Sequence, residues 1–89
     1  MLDREVTIVN KLGLHARAAA KFVTLASSFK SEIKLARNGQ EVNGKSIMGV
    51  MMLAASRGTD IRLMADGEDE QEALERLTEL IENRFGEAE

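Results

Sequence analysis

His15 is the only histidine of the chain, and it lies in the segment KLGLHARAAAKF of residues 11–22, where a helical pattern begins. Gly13 precedes it and permits a sharp turn, while Arg17 follows it by two residues. A histidine at this position would be the N-cap of the helix, beside backbone N–H groups that lack partners in the first turn. A neutral imidazole is also a nucleophile that can form covalent intermediates. The residue types therefore indicate a nucleophile at a helix N-terminus.

The same helix start offers what an anion needs. The N–H groups of Ala16, Arg17 and Ala18 and the positive end of the helix dipole favour a phosphate there. The guanidinium of Arg17 can bind phosphoryl oxygens through two parallel hydrogen bonds. Because no acid–base partner or metal ligand accompanies His15, the segment favours carrying a phosphoryl group between proteins over hydrolysing one. From these residues alone, a plain polar cap is the competing interpretation.

Three segments alternate between apolar and polar residues, as half-buried strands do. They are residues 4–10, the hairpin of residues 31–42 and residues 59–67. Asn38-Gly39 supplies the turn of the hairpin, since such a turn requires positive φ angles. The hairpin contributes two strands, so the sequence predicts four.

Apolar residues recur at helical spacing in three other segments. The first is residues 16–29, and the second is a short apolar helix that Ser46 caps and that ends near Gly58. The third has an apolar stripe that consists of Leu74, Leu77, Ile81 and Phe85. Asp69 and Glu72 resemble its capping box, and Gly86 is expected to end it. The order βαββαβα predicts an α+β, two-layer sandwich.

Composition narrows the function classes. A chain of 89 residues is predicted to form one domain over residues 1–89. Without cysteine and with one histidine it has no disulfide or zinc cluster, which favours the cytoplasm, and we expect no metal and no cofactor. No apolar run approaches the roughly 20 residues of a membrane span, and the N-terminus does not resemble a signal peptide. The absence of Tyr and Trp argues against nucleic-acid binding.

The acidic residues are concentrated at one end. Residues 66–89 contain ten acidic and two basic residues, while residues 1–65 contain five acidic and ten basic residues. The basic part, which includes His15, is therefore expected to attract an acidic partner or an anionic group.

Two segments resemble the signatures of a known family. GLHARAAAKFV, around His15, resembles the active-site signature of the HPr family, the phosphocarrier proteins of the bacterial phosphoenolpyruvate-dependent phosphotransferase system. NGKSIMGVMMLAASRGTDI, around Ser46, resembles the regulatory signature of that family. The family fold is an open-faced sandwich of four antiparallel strands covered on one face by three helices. Ala18 departs from the pattern, because many members have proline there, but alanine also favours a helix.

The resemblance implies roles for particular residues. His15 would accept a phosphoryl group on Nδ1 from phosphorylated Enzyme I and pass it to an Enzyme IIA domain or protein, and Arg17 would pair with that group. Ser46 would be the regulatory serine, phosphorylated by an HPr kinase in those bacteria that have one. The chain would then be a stoichiometric carrier and not an enzyme by itself.

The short apolar helix also predicts a docking surface. A helix this small cannot bury every side, so we expect some of Ile47, Met48, Met51 and Met52 to be exposed. The predicted docking surface consists of Ile47, Met48 and Met51 beside the cations Lys21 and Lys45. We expect Val50 and Leu53 to be buried instead. A weakly binding apolar patch suits a monomer that meets several partners in turn.

Several alternatives stay open at this point. A small-molecule-sensing regulatory domain has a similar order of elements, but no residues indicate a ligand pocket. A self-sufficient enzyme would need a paired carboxylate or a Ser or Cys nucleophile near His15. Within the carrier hypothesis, sugar uptake and the nitrogen-related regulatory branch are not distinguished. Ser46 is also explained by helix capping alone.

Overall fold

The computed structural model describes all residues from Met1 to Glu89. Its elements follow the order βαββαβα and end in a short 3-10 turn. They are β1 (Leu2–Thr7), α1 (Ala16–Ser27), β2 (Glu32–Arg37), β3 (Gln40–Asn43), α2 (Ile47–Met52), β4 (Asp60–Asp66), α3 (Glu70–Glu82) and the turn Arg84–Gly86. The predicted element order is confirmed.

The four strands form one sheet in the order β1-β4-β2-β3, and every neighbouring pair is antiparallel. Val6 pairs with Ile61, and Leu35 lies between Leu63 of β4 and Val42 of β3. Side chains alternate between the faces of a strand. One face carries the buried residues Val6, Ile33, Leu35, Ile61, Leu63 and Ala65. The residues that alternate with them, such as Glu5, Lys34 and Arg62, are mainly polar and lie on the opposite face, which the helices do not cover.

The helices cover the apolar face of the sheet. α3 packs on β1 and β4, α1 packs on α2 and α3, and α2 packs on β3. A single cluster of 21 buried apolar residues fills the space between the layers, with Phe22 of α1 and Leu77 and Ile81 of α3 among its members. The predicted open-faced α+β sandwich with three helices on one face is therefore confirmed. No helix is both long enough and apolar enough to cross a membrane.

Element boundaries differ from the predicted ones where tertiary contacts end an element. β1 stops at Thr7, opposite the first residue of β4, so Ile8 is buried but lies outside the strand. α1 stops at Ser27, since the N–H groups of Ser28 and Phe29 donate to carbonyls only three residues back. α2 ends at Met52, well before Gly58, because Ala54 has a φ of 52°. The prediction that α2 reaches the region of Gly58 is wrong.

The end of α3 was also predicted wrongly. The helix stops at Glu82, because Arg84 and Phe85 both adopt positive φ angles, of 57° and 55°. Phe85 is buried as expected, but it reaches the core from the turn after α3 and not from the helical stripe.

The proposed capping box of α3 is absent. Asp69 makes no side-chain cap, because its carboxylate accepts hydrogen bonds from the backbone N–H groups of Lys30 and Ser31, both at 2.9 Å, and from the Ser31 hydroxyl. Ser31 is fully buried, so its donors need a partner within the protein. The carboxylate that reaches back along the chain belongs to Glu70, which accepts from the N–H of Gly67.

Candidate functional site

The loop between β1 and α1 turns sharply at Gly13, as predicted. Its φ is 68°, and a Cβ atom there would lie 2.5 Å from the carbonyl oxygen of Ala55. The next residue, Leu14, is buried and donates its N–H to that same carbonyl at 2.9 Å. This contact fixes the loop against the segment after α2. His15 follows in an extended conformation and is the N-cap of α1, which confirms the predicted cap.

The two ring nitrogens of His15 have different partners. Nδ1 accepts from the N–H of Arg17 at 3.2 Å, and Nε2 lies 2.6 Å from Oε2 of Glu87. An ionised carboxylate can only accept, so the proton of a neutral ring lies on Nε2. Nδ1 then keeps its lone pair, directed at the first turn of α1. The side chain is 26% exposed, so the ring is accessible from outside.

The carboxylate of Glu87 is held in its ionised form. Asn10 donates its amide N–H to Oε1 at 3.0 Å, and this hydrogen bond is the main reason that the pKa of Glu87 lies below its usual value. Partial burial raises that pKa, and the contact with His15 lowers it again. Asn10 is itself fully buried and also donates to the carbonyl of Gly13 at 2.8 Å. The three residues thus connect the loop, the ring and the C-terminal residues.

The first turn of α1 offers donors and a cation beside the ring. Ala16 and Arg17 are exposed, while Ala18 is fully buried in the core and does not line the surface at this point. The guanidinium of Arg17 makes no hydrogen bond or ion pair within the protein. It is therefore available to an anion at Nδ1.

The groove around His15 has a volume of about 780 Å³ and is formed by two distant parts of the sequence. Three cations, Lys11, Arg17 and Lys21, come from the N-terminal part, and residues 86–89 form the other wall. Sequence reasoning missed both Asn10 and Glu87, and the expectation that no acid–base group accompanies His15 is wrong, since the Glu87 carboxylate contacts the ring. The sequence did contain a signal for Glu87. The apolar Phe85, followed by Gly86, can return to the core at the end of the last helix and so bring the next residue, Glu87, close to the rest of the domain.

Ser46 and its neighbours lie as expected at the start of α2. The Ser46 hydroxyl accepts from the N–H of Gly49 at 3.1 Å, which confirms the helix cap. The neighbouring apolar residues are exposed as predicted: Ile47 (45%), Met48 (73%) and Met51 (40%). Val50 and Leu53 are buried, also as predicted. Met52, also expected among the exposed residues of this helix, extends the exposed apolar surface, as does Leu12, which was not anticipated.

The two lysines of the predicted docking surface have internal partners. Lys21 donates from Nζ to the carbonyl of Phe85, and Lys45 donates from Nζ to the carbonyl of Phe29, both at 2.8 Å. Each of these side chains therefore also holds a turn in place. No group of three or more His, Asp or Glu side chains is arranged to hold a metal ion.

Fold and site together define a small α+β domain that presents one histidine at a helix N-terminus. A family model described as the PTS HPr component phosphorylation site matches residues 2–83. The phosphocarrier protein HPr of Cupriavidus necator is 61% identical over 89 residues, and the match covers all of both chains. The phosphocarrier protein HPr of Xylella fastidiosa is 61% identical over 87 residues, which cover 98% of each chain.

Solved structures agree with these matches. The crystal structure of HPr-C-His from Thermoanaerobacter tengcongensis superposes with a TM-score of 0.96 at 48% identity, and it covers all of both chains. The chain belongs to the HPr family, the phosphocarrier proteins of the phosphotransferase system.

Proposed function

We propose that this chain is a phosphohistidine carrier in which Nδ1 of His15 receives a phosphoryl group from phosphorylated Enzyme I and passes it to an Enzyme IIA protein or domain. The observation that carries the proposal is the hydrogen bonding of the ring. Nε2 is engaged by Glu87 at 2.6 Å, and Nδ1 faces the N-terminus of α1. A lone pair at the positive end of a helix is well placed to attack an anionic group.

The transfer step needs no general base. The Nδ1 lone pair forms a bond to phosphorus while the bond between phosphorus and the donor breaks, and the donor keeps that electron pair. Nε2 keeps its proton throughout, so the ring becomes positively charged. Attack by the acceptor reverses these changes and restores the neutral ring. His15 is thus consumed and regenerated once per transfer, which makes the chain a stoichiometric carrier.

Arg17 and the first turn of α1 are proposed to bind the phosphoryl group once it is attached. The guanidinium has no partner in the unphosphorylated protein, so it can form a charge-assisted pair with phosphoryl oxygens without breaking another contact. The exposed N–H groups of Ala16 and Arg17 are the nearest backbone donors. Ala18 lies beneath them and contributes through the helix dipole.

The exposed apolar residues of α2 support a docking role. Ile47, Met48 and Met51 form a surface that we propose meets Enzyme I and the acceptor in turn, with Lys21 and Lys45 attracting acidic groups at its edge. Methionine adapts its shape easily, which suits contact with more than one partner. Such a carrier would act in the cytoplasm as a monomer, because the same face must be free for each encounter.

Ser46 is proposed as a regulatory phosphorylation site for an ATP-dependent HPr kinase. Its hydroxyl stands at the N-terminus of α2, where a phosphate is tolerated electrostatically. The added negative charge would lie next to Ile47 and Met48 and would repel acidic partners from the docking surface.

The deciding experiment measures the intact mass after incubation with phosphoenolpyruvate and Enzyme I. We expect one added phosphoryl group that disappears in mild acid and that never forms on a His15→Ala variant. A Ser46→Ala variant is the matched control and should be modified like the wild type. No added mass, with an Enzyme I that phosphorylates another carrier, would contradict the proposal.

A further inference from the structure

The C-terminal tail, residues 84–89, returns from the end of α3 to the His15 loop. Arg84, Phe85 and Gly86 adopt consecutive positive φ angles of 57°, 55° and 78°. Such a conformation costs free energy for residues other than glycine, so the surroundings must hold it. The buried Phe85 side chain and the hydrogen bond from Lys21 to the Phe85 carbonyl provide that support. The tail therefore has a defined conformation and is packed against the rest of the domain.

The tail places one carboxylate directly on the ring. Oε2 of Glu87 lies 2.6 Å from Nε2 of His15, and Oε1 is held by the fully buried Asn10. The Glu87 side chain is only 15% exposed. Further along, the backbone N–H of Lys11 donates to the main-chain oxygen of Glu89 at 3.0 Å, and Nζ of Lys11 lies 3.3 Å from the side-chain carboxylate of Glu89. Glu87 is thus fixed from both sides of the chain.

We propose that Glu87 is a positioning residue for phosphoryl transfer at His15: its carboxylate keeps the proton on Nε2 and stabilises the positive charge of the ring while Nδ1 carries the phosphoryl group. The inference rests on the function proposed above. It assigns to the tail a part in the chemistry, whereas the site residues identified from sequence all lie between His15 and Met51.

The charges around the ring explain why such a residue is needed. Lys11, Arg17 and Lys21 line the same groove and disfavour a positively charged ring. Two acidic side chains oppose them. Glu89 is paired with Lys11 and is 71% exposed, so its effect is strongly screened. Glu87 is the acid in direct contact with the ring, and it can offset the charge that the transfer creates.

The variants that test this are Glu87→Gln and Glu89→Gln in the full chain. The first keeps the size of the side chain and removes its charge, and the second removes a charge from the same tail away from the ring. We expect Glu87→Gln to slow phosphoryl uptake from Enzyme I by about tenfold, the order of one charge-assisted hydrogen bond. Glu89→Gln should stay within about twofold of the wild type. Equal loss in both variants would overturn the role of the Glu87 carboxylate.

A second measurement does not depend on uptake. Nitrogen-15 NMR of the neutral ring should show the proton on Nε2 in the wild type and a larger share of the Nδ1-protonated tautomer in Glu87→Ala, where the N–H of Arg17 still favours Nε2 but Glu87 no longer does. A purely structural role of Glu87 would leave the tautomer unchanged. A wild-type ring with its proton on Nδ1 would overturn the inference, even if uptake were observed. Uptake that fails in the wild type, with the proton on Nε2, would count against the proposed function alone.

Discussion

Two carboxylates of the acidic C-terminal part, Asp69 and Glu87, flank α3 and bind the loops at the two ends of α1. Asp69 precedes α3 and accepts from Lys30 and Ser31, just after α1. Glu87 follows α3 and accepts from Asn10 and lies against His15, just before α1. Each carboxylate accepts hydrogen bonds from donors of the loop that it contacts. The two contacts therefore attach α3 to α1 at both ends.

The partners of the two carboxylates make them different. Asp69 accepts from backbone N–H groups and a hydroxyl, none of which changes its protonation at ordinary pH. Glu87 contacts the imidazole ring of His15, which in our proposal takes up a phosphoryl group. The same acceptor chemistry is structural at one end and, in our proposal, functional at the other. Whether such a carboxylate is structural or functional therefore depends on the groups that it binds.

The largest stability effect is expected at the loop that presents His15. Gly13→Ala would force an L side chain into a φ of 68° and a Cβ atom to within 2.5 Å of a backbone oxygen that cannot move away easily. We expect a loss of about 2–5 kcal/mol in the free energy of unfolding, measured by urea denaturation. Gly39→Ala is the matched control.

That control separates conformation from close approach. Gly39 has a φ of 80° but nothing within 4 Å of a Cβ atom, so the same substitution there should cost only about 1 kcal/mol. Equal losses at the two glycines would show that the contact with Ala55 does not restrict the loop.

The second largest effect is expected at the Asp69 end. Asp69→Ala leaves the buried donors of Ser31 without an acceptor, so we expect the melting temperature to fall by about 5–15 °C. Glu68→Ala serves as the control, since Glu68 is 78% exposed and pairs only with Lys30. It should change the melting temperature by no more than about 2 °C. Similar values for both variants would contradict the structural role of Asp69.

Acid should remove the contribution of Asp69 in a defined range. Hydrogen bonds from Ser31 and Lys30 lower the pKa of Asp69 from 3.8 to about 2. A lowered pKa in the folded state stabilises the protein above the unfolded value, and this stabilisation disappears as the pH falls from about 4 to about 2. The stability difference between wild type and Asp69→Ala should therefore be constant above pH 5 and shrink below pH 4. A difference that does not change with pH would argue against an ionised Asp69.

The sequence predicted the parts that depend on local pattern. Alternation identified the strands, helical spacing identified the helices, and Gly13 followed by His15 identified the cap, since each of these signals lies within a few residues. It failed where the partner is distant in sequence. Asp69 was assigned to its own helix because capping is a local rule, and Ser31 is 38 residues away. No local pattern suggested a function for Glu87, and its partner His15 is 72 residues away.

The smallest stability effect is expected at the Glu87 end, where the comparison with Asp69 is sharpest. In Glu87→Ala the tail keeps the buried Phe85 and the contacts of Lys11 with Glu89, and Nε2 of the partly exposed His15 can bind water instead. We expect the melting temperature to stay within about 3 °C of the wild type, in the same scan that shows the larger loss for Asp69→Ala. A loss as large as that of Asp69→Ala would mean that Glu87 is mainly structural. A small loss together with slower phosphoryl uptake would show that Asp69, before α3, serves mainly stability, whereas Glu87, after α3, serves mainly phosphoryl transfer.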